Sequence, residues 1–133
     1  AGADKIVAAA WGAATMLYLL SEQGLVRAAA VGEGGSSKSV DLGRRAHALV
    51  WAERLCGQRP GPLGLLACAL ADGTVEVLDA EFLRPVAVLT TVAEGTLPEA
   101  VGISYSVGGE SLWVLYADRS LARWRGLDGA PDR

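Results

Sequence analysis

The sequence predicts an all-β fold of about three four-stranded antiparallel sheets that follow one another along the chain. Its apolar runs are short and continuous, and each is bounded by residues that favour turns. An acidic turn between two such runs also occurs three times, at Glu22, Asp72 and Asp118, with steps of 50 and then 46 residues. A period of about 40 to 50 residues with four short strands per unit is typical of the blades of a β-propeller.

The three hairpins align without gaps on their acidic positions. The clearest of them begins at Asp72 and Gly73, and we expect the repeated carboxylates to shape turns by accepting local backbone N–H bonds rather than to catalyse a reaction. Upstream positions agree, because Met16, Leu66 and Leu112 coincide in this alignment. We therefore divide the chain into units at 4–41, 42–89 and 90–126, followed by a frayed tail at 127–133.

The first unit is predicted to contain strands at 6–11, 16–20 and 25–31, separated by small or polar turn residues. A helix through 8–20 is the competing prediction, because alanine is a strong helix former. Only the repeat of the same run-and-turn order in the later units favours strands here. A Gly/Ser-rich connection at 32–39 then leads to a short apolar run at 40–42, with which the unit closes.

The second and third units follow the same order of runs and turns. The second has apolar runs at 48–51, 63–70, 75–78 and 85–92, and its loop at 57–62 holds two prolines and two glycines that cannot continue a ladder. The third has a loop at 93–98 and runs at 101–105, 112–116 and 121–124.

The predicted propeller is incomplete. About three blades are present, whereas propellers close with roughly 4 to 8. We expect the first unit to lack an opening strand before Ile6 and the last to lack a closing strand after Trp124. The sequence is therefore predicted to be a section of a larger propeller, whose remainder would be its first partner.

Composition narrows the classes of function. The chain has 133 residues, 51% of them hydrophobic, and a formal net charge of −3, which disfavours binding to nucleic acid. One histidine, His47, and two cysteines without a C-x-x-C spacing provide no metal site, and we predict no cofactor. Cys68 is predicted to be a small buried hydrophobe, and its pairing with Cys56 stays open. No apolar stretch reaches the length of about 20 residues that a membrane helix needs.

One segment carries a different hypothesis. Residues 32–39 resemble a phosphate-binding P-loop, in which backbone N–H groups surround the phosphates and a lysine, here Lys38, contacts them. Ser37 replaces the second glycine of that motif, and the residues that follow are a poor start for the required helix. A nucleotide hydrolase is therefore the alternative from another functional class, and we predict that the protein is not an enzyme.

The hairpin at Asp72 and the Arg123-Trp124 pair resemble WD-repeat propellers. Trp124 occupies the signature tryptophan position, which Ala28 and Leu78 fill in the other units. The stretches 66–75, 97–105 and 115–124 are together similar to the mitogen-activated-protein-kinase-binding protein family of WD-repeat scaffolds; Glu99, Ala117 and Arg119 depart from its pattern. The resemblance implies a non-catalytic cytoplasmic scaffold with signalling or cytoskeletal protein partners. Microtubules of the centrosome, spindle or cilium are the alternative setting.

The partner-binding residues are predicted from side-chain chemistry. Aromatic and arginine side chains commonly anchor protein interfaces. A solvated outer strand is the competing interpretation of the arginines. The candidates are Tyr116, Arg119, Arg123 and Arg125.

Overall fold

The computed structural model describes residues 4–12, 15–31, 37–54, 63–90, 97–106 and 111–126. Within these ranges the regular elements are eleven β-strands. They are β1 (Ile6–Trp11), β2 (Met16–Ser21), β3 (Leu25–Ala30), β4 (Ser37–Asp41), β5 (Ala46–Ala52), β6 (Leu65–Leu70), β7 (Val75–Asp79), β8 (Pro85–Leu89), β9 (Ala100–Tyr105), β10 (Leu112–Tyr116) and β11 (Leu121–Trp124).

The strands form three antiparallel meanders that follow the chain. Sheet 1 has the order β1-β2-β3-β4, sheet 2 has β5-β6-β7-β8, and sheet 3 has β9-β10-β11. The all-β prediction of successive small sheets, arranged like incomplete propeller blades, is confirmed. The competing helix through 8–20 is wrong, because β1 and β2 occupy that stretch and pair with each other. In the part of the chain that is described, no helix is long and apolar enough to cross a membrane.

The sheets stack side by side through their first strands. β5 contacts both β1 and β9, so that sheet 2 lies between the other two. Its strand β6 is buried at all six positions because each face is covered. Leu66 and Cys68 pack toward sheet 1, whereas Leu65 and Ala67 pack toward sheet 3. This double burial explains why β6 is a continuous apolar run rather than an alternating one.

The alignment of the first hairpin is wrong by one residue. The equivalent turn positions are Gly24, Gly73 and Arg119, which all have a positive φ, of 94°, 89° and 73°. These positions are 49 and 46 residues apart, so Gln23, rather than Glu22, corresponds to Asp72. By the same shift, the strand position predicted for Met16 belongs to Leu17, and Ala29 replaces Ala28 opposite it.

The chemistry of the first turn explains the error. Ser21 Oγ accepts the Leu25 backbone N–H at 3.0 Å there, so no aspartate is needed to satisfy the turn. Glu22 has a longer side chain than aspartate, and its carboxylate lies 4.0 Å from Lys5 Nζ instead. An acidic residue is present in the sequence, but it does not perform the same task as in the later turns.

The prediction of a missing opening strand is also wrong. Sheet 1 already contains four strands. Its first strand, β1, contacts the neighbouring sheet in the way that β5 and β9, the first strands of the other sheets, do. In sheet 3 the described residues form three strands, and β11 lies at the edge.

Candidate protein interface

Each sheet has one face that is turned toward the next sheet in chain order, which we call its leading face. In sheet 1 this face carries the cross-strand pairs Tyr18–Ala28 and Leu20–Val26. All four side chains are buried against sheet 2. The Tyr18 hydroxyl also donates a hydrogen bond of 2.9 Å to the carbonyl of Ala80, which directly follows β7, and this bond ties sheet 1 to sheet 2.

Sheet 2 uses the equivalent positions in the same way. Its leading face carries the pairs Ala67–Val77 and Ala69–Val75, which lie 49 residues after their counterparts in sheet 1. These four side chains are fully buried in the core shared with sheet 3. Two successive sheets therefore bury the same ladder positions beneath their next neighbour.

Sheet 3 exposes those positions. The pairs there are Trp113–Arg123 and Leu115–Leu121, another 46 residues along the chain. The exposed fractions of Trp113, Leu115 and Leu121 are 39%, 42% and 52%. A shallow, largely apolar depression of about 230 Å³ runs across this face. It is lined by Gly102, Ile103, Ser104, Trp113, Leu115 and Leu121. An apolar face at a position that is covered in both preceding sheets is a candidate protein interface.

The predicted partner-binding arginines border this face. The Arg123 guanidinium carbon lies 5.3 Å from the centre of the Trp113 ring, within the range of a cation–π interaction. Arg119 is exposed in the β10–β11 turn, and Arg125 is exposed directly after β11. The structure thus places one arginine in β11 and the other two directly before and after that strand.

Tyr116 does not belong to this surface, which corrects its prediction as a partner contact. Its side chain is only 1% exposed and packs in the core between sheets 2 and 3. The strand alternates, so that Leu112, Val114 and Tyr116 face inward while Trp113 and Leu115 face outward. Sequence reasoning chose the aromatic residue of the wrong face and missed Trp113. The alternation itself was a signal that could have separated them.

The acidic turns of sheets 2 and 3 share one arrangement. Asp72 Oδ1 accepts the backbone N–H of Thr74 at 3.0 Å and its hydroxyl at 2.6 Å. Asp118 Oδ1 accepts the backbone N–H of Ser120 at 2.9 Å. Gly73 lies within the first of these turns and has a positive φ. Both carboxylates therefore accept hydrogen bonds from residues of their own turns.

Arg44 connects the sheet 1–sheet 2 linker to the acidic hairpin of sheet 2. Its guanidinium donates to Asp72 Oδ2 at 3.0 Å and to Thr74 Oγ1 at 2.9 Å, and it also forms a short contact with Glu76. Burial alone would raise the pKa of Asp72, but the bonds from Thr74 and the Arg44 charge outweigh it and lower that pKa below its ordinary value of 3.8. This network was not predictable from the sequence, because Arg44 and Asp72 are 28 positions apart.

Asp72→Asn is expected to lower the free energy of unfolding at neutral pH by about 1 kcal/mol or less, because the ion pair is partly solvated. A lowered folded-state pKa stabilises the fold above pH 3.8, and this stabilisation is lost as pH falls through the folded pKa. The difference between the two chains should therefore shrink below about pH 4, as measured by urea unfolding at several pH values. Arg44→Gln leaves the hydrogen bonds from Thr74 to Asp72 in place, so the unfolding free energy of this variant should still depend partly on pH in the same range. If the difference in unfolding free energy between the unaltered chain and Asp72→Asn stayed constant across the pH range, the lowered pKa of Asp72 would be contradicted.

A second polar contact joins sheets 2 and 3. His47 Nε2 lies 3.0 Å from Glu99 Oε1, which precedes β9. This contact was not predictable from the sequence, because the two residues are 52 positions apart. Cys68 is a free and buried thiol whose pKa is raised to about 12, chiefly by burial. Cys56, the other residue of the pairing that the sequence left open, lies outside the described residues.

The P-loop alternative does not fit the backbone. Lys38 lies in β4 and pairs with Ala28, whereas a P-loop lysine must open a helix. Residues 32–36 of the proposed loop lie outside the described ranges. Among the residues that are described, no group of three His, Cys, Asp or Glu side chains could hold a metal ion.

Comparison with known proteins identifies the fold. No protein-family model matches the chain, and no curated protein matches it. It is similar to a chain in the solved structure entitled "Crystal Structure of Mitotic Checkpoint Complex", with a TM-score of 0.70 and 12% sequence identity. The match covers 95% of this chain but 36% of the length of the other. This similarity supports a WD-repeat-like β fold, and it gives no support to the narrower resemblance to kinase-binding scaffolds.

Proposed function

We propose that the chain is a section of a WD-repeat β-propeller that acts as a non-catalytic protein-interaction scaffold. The observation that carries this proposal is the exposed leading face of sheet 3. Trp113, Leu115 and Leu121 occupy positions that sheets 1 and 2 bury beneath a following sheet. A further sheet, or a protein that replaces it, would remove the same kind of apolar surface from water.

The opposite end of the stack supports the same proposal. The outer face of sheet 1 carries the cross-strand pairs Trp11–Leu17 and Ala9–Leu19, and the exposed fraction of Trp11 is 62%. In sheet 2 the corresponding residues pack against sheet 1; they are Trp51, Leu66, Leu49 and Cys68. Both ends of the stack therefore carry the residues of a sheet-to-sheet contact.

Self-association tests this proposal directly. The purified 133-residue chain is expected to form concentration-dependent oligomers in sedimentation velocity, because its apolar end faces can cover one another. Replacing Leu115 and Leu121 together with glutamate should shift the distribution toward monomer. Charged groups placed at the centre of an apolar contact must be desolvated without a partner, which disfavours association.

Val88→Glu provides the matched control. Val88 has the same exposed fraction as Leu121, 52%, but it lies on the outer strand of sheet 2. It should leave the oligomer distribution unchanged. A chain that stays monomeric at all concentrations would oppose the proposal. So would a shift toward monomer that is equally large for the Leu115 and Leu121 double variant and for Val88→Glu.

The setting of the scaffold is proposed from sequence resemblance alone. The similarity to the mitogen-activated-protein-kinase-binding protein family supports a cytoplasmic signalling partner, and the same family suggests microtubules as the alternative. Co-sedimentation of the chain with polymerised tubulin separates these two. Pelleting that saturates with tubulin would favour the filament partner, and an unchanged supernatant would favour the signalling partner.

A further inference from the structure

The two ends of the stack carry opposite halves of one kind of contact. We call the face of each sheet that opposes its leading face the trailing face; in sheet 1 it is the outer face that carries Trp11 and Leu17. Inside the chain a leading face meets a trailing face twice, once between sheets 1 and 2 and once between sheets 2 and 3. In the part of the chain that is described, the leading face of sheet 3 and the trailing face of sheet 1 are the two halves that remain exposed.

The first strand of each following sheet determines how the two faces meet. β5 contacts β1 and β2 of sheet 1, and β9 contacts β5 and β6 of sheet 2. The first strand of a sheet therefore lies on the first two strands of the sheet before it. In sheet 3 those two strands are β9 and β10, and they provide most of the lining of the depression of about 230 Å³. The depression thus lies where the two internal contacts seat a first strand.

Strand β1 has the side chains that such a seat requires. Ala9 and Trp11 lie on its trailing face, and Ile6 and Val7 add exposed apolar side chains at the beginning of the strand. In β5, Trp51 takes the place of Trp11 and packs against the core shared with sheet 1. The chain therefore carries both the seat, on sheet 3, and a strand that matches it, on sheet 1.

An aromatic pair supplies the most specific part of this match. Tyr18 of the leading face of sheet 1 and Trp51 of the trailing face of sheet 2 approach each other beside Gly12, where an added Cβ would overlap the Tyr18 ring and contact the indole nitrogen. Trp113 is the equivalent of Tyr18 in sheet 3. Seating β1 of a second copy on sheet 3 would bring Trp113 and Trp11 together as this internal pair is brought together. Aromatic pairs stabilise a contact beyond the area that they bury.

We propose that the partner of the exposed faces is a second copy of this chain, with the leading face of sheet 3 of each copy seated on the trailing face of sheet 1 of the other. Contacts between unlike faces generate rings if the rotation closes. Two copies supply six sheets, three from each, and propellers close with roughly 4 to 8 blades. The two copies thus form a closed pair in which both exposed faces of each are covered. The inference rests on the proposed function and specifies the partner.

Mixing two variants tests this pairing. Trp11→Glu blocks the trailing face of sheet 1, and the double substitution of Leu115 and Leu121 with glutamate blocks the leading face of sheet 3. In sedimentation velocity the unaltered chain is expected to reach the mass of two copies and no more. Each variant alone lacks one half of every contact, so its self-association should weaken about tenfold or more.

An equimolar mixture of the two variants should form a pair again. The intact leading face of one variant can meet the intact trailing face of the other, and pairing in the mixture also shows that both variants are folded. Because one of the two contacts remains, the mixture is followed up to about a hundred times the concentration at which half of the unaltered chain is paired.

Phe82→Glu is the matched control for Trp11→Glu. Phe82 is also an exposed aromatic residue, but it lies in the turn between β7 and β8 of the middle sheet and so belongs to neither end face. This variant should pair as the unaltered chain does. Equal weakening by Phe82→Glu and Trp11→Glu would contradict the assigned contact.

The inference and the proposed function can fail separately. Pairing by Trp11→Glu alone would mean that two leading faces meet, and pairing by the leading-face variant alone would mean that two trailing faces meet. Either result would refute only the inference, as would a mixture that stays monomeric or a mass that keeps growing beyond two copies. An unaltered chain that remains monomeric at every concentration would refute the proposed function as well.

Discussion

Gly24→Ala is expected to destabilise the chain by about 2 to 5 kcal/mol, as measured by urea unfolding at a fixed low protein concentration. Gly24 has a φ of 94°, where a side chain costs about 1 to 2 kcal/mol. An added Cβ would also overlap the carbonyl oxygen of Arg44. Because Gly24 accepts the Leu42 backbone N–H at 2.9 Å, the turn cannot move away without breaking the contact between hairpin and linker.

Gly43→Ala separates the two causes. Gly43 also has a positive φ, of 70°, but no atom lies within 4 Å of the place where its Cβ would be. This substitution should cost only the backbone penalty of about 1 to 2 kcal/mol. If both variants lost the same stability, the close packing of the first turn against the linker would be refuted.

Trp124→Ala is expected to cost about 3 to 5 kcal/mol, because removal of a fully buried tryptophan leaves a large cavity. Trp124 is opposite Leu112 in sheet 3 and lies in the core shared with sheet 2. The loss should appear in urea unfolding followed by far-ultraviolet circular dichroism. Its side chain is thus predicted to hold the two sheets together.

Trp113→Ala is the control on the neighbouring strand. Trp113 faces solvent and Arg123, so its removal should cost about 1 kcal/mol or less, mainly through the lost cation–π contact. The same substitution is expected to weaken association through the leading face. A Trp113 variant as unstable as the Trp124 variant would show that the two faces of sheet 3 are assigned the wrong way round.

The strands and most turns could be predicted because their signals are local. The hairpin at Asp72 combines an Asx-type turn with a positive-φ glycine, and both features come from adjacent residues. Burial of Cys68 was also predictable, since the residue lies within a continuous apolar run. Such features need only the neighbouring sequence.

The register of the first hairpin was not predictable from residue type. Glu22 resembles the acids of the later turns, but Ser21 provides the turn acceptor and the glutamate lies near Lys5. The gapless alignment equated residues that carry the same charge, whereas the backbone conformation equates residues that occupy the same place in the turn. Two residues with similar charge were therefore equated although they have different roles.

By itself, the sequence determined a succession of small antiparallel sheets, because apolar runs and turn residues act over a few positions. Only the tertiary structure decided which faces are covered, since stacking joins residues far apart, as in the Tyr18–Ala80 hydrogen bond across 62 positions. That stacking buries Tyr116 and leaves Trp113 exposed on the same strand. Side chains alternate along a strand, and the sheet that packs against it determines which of the two alternating sets becomes core.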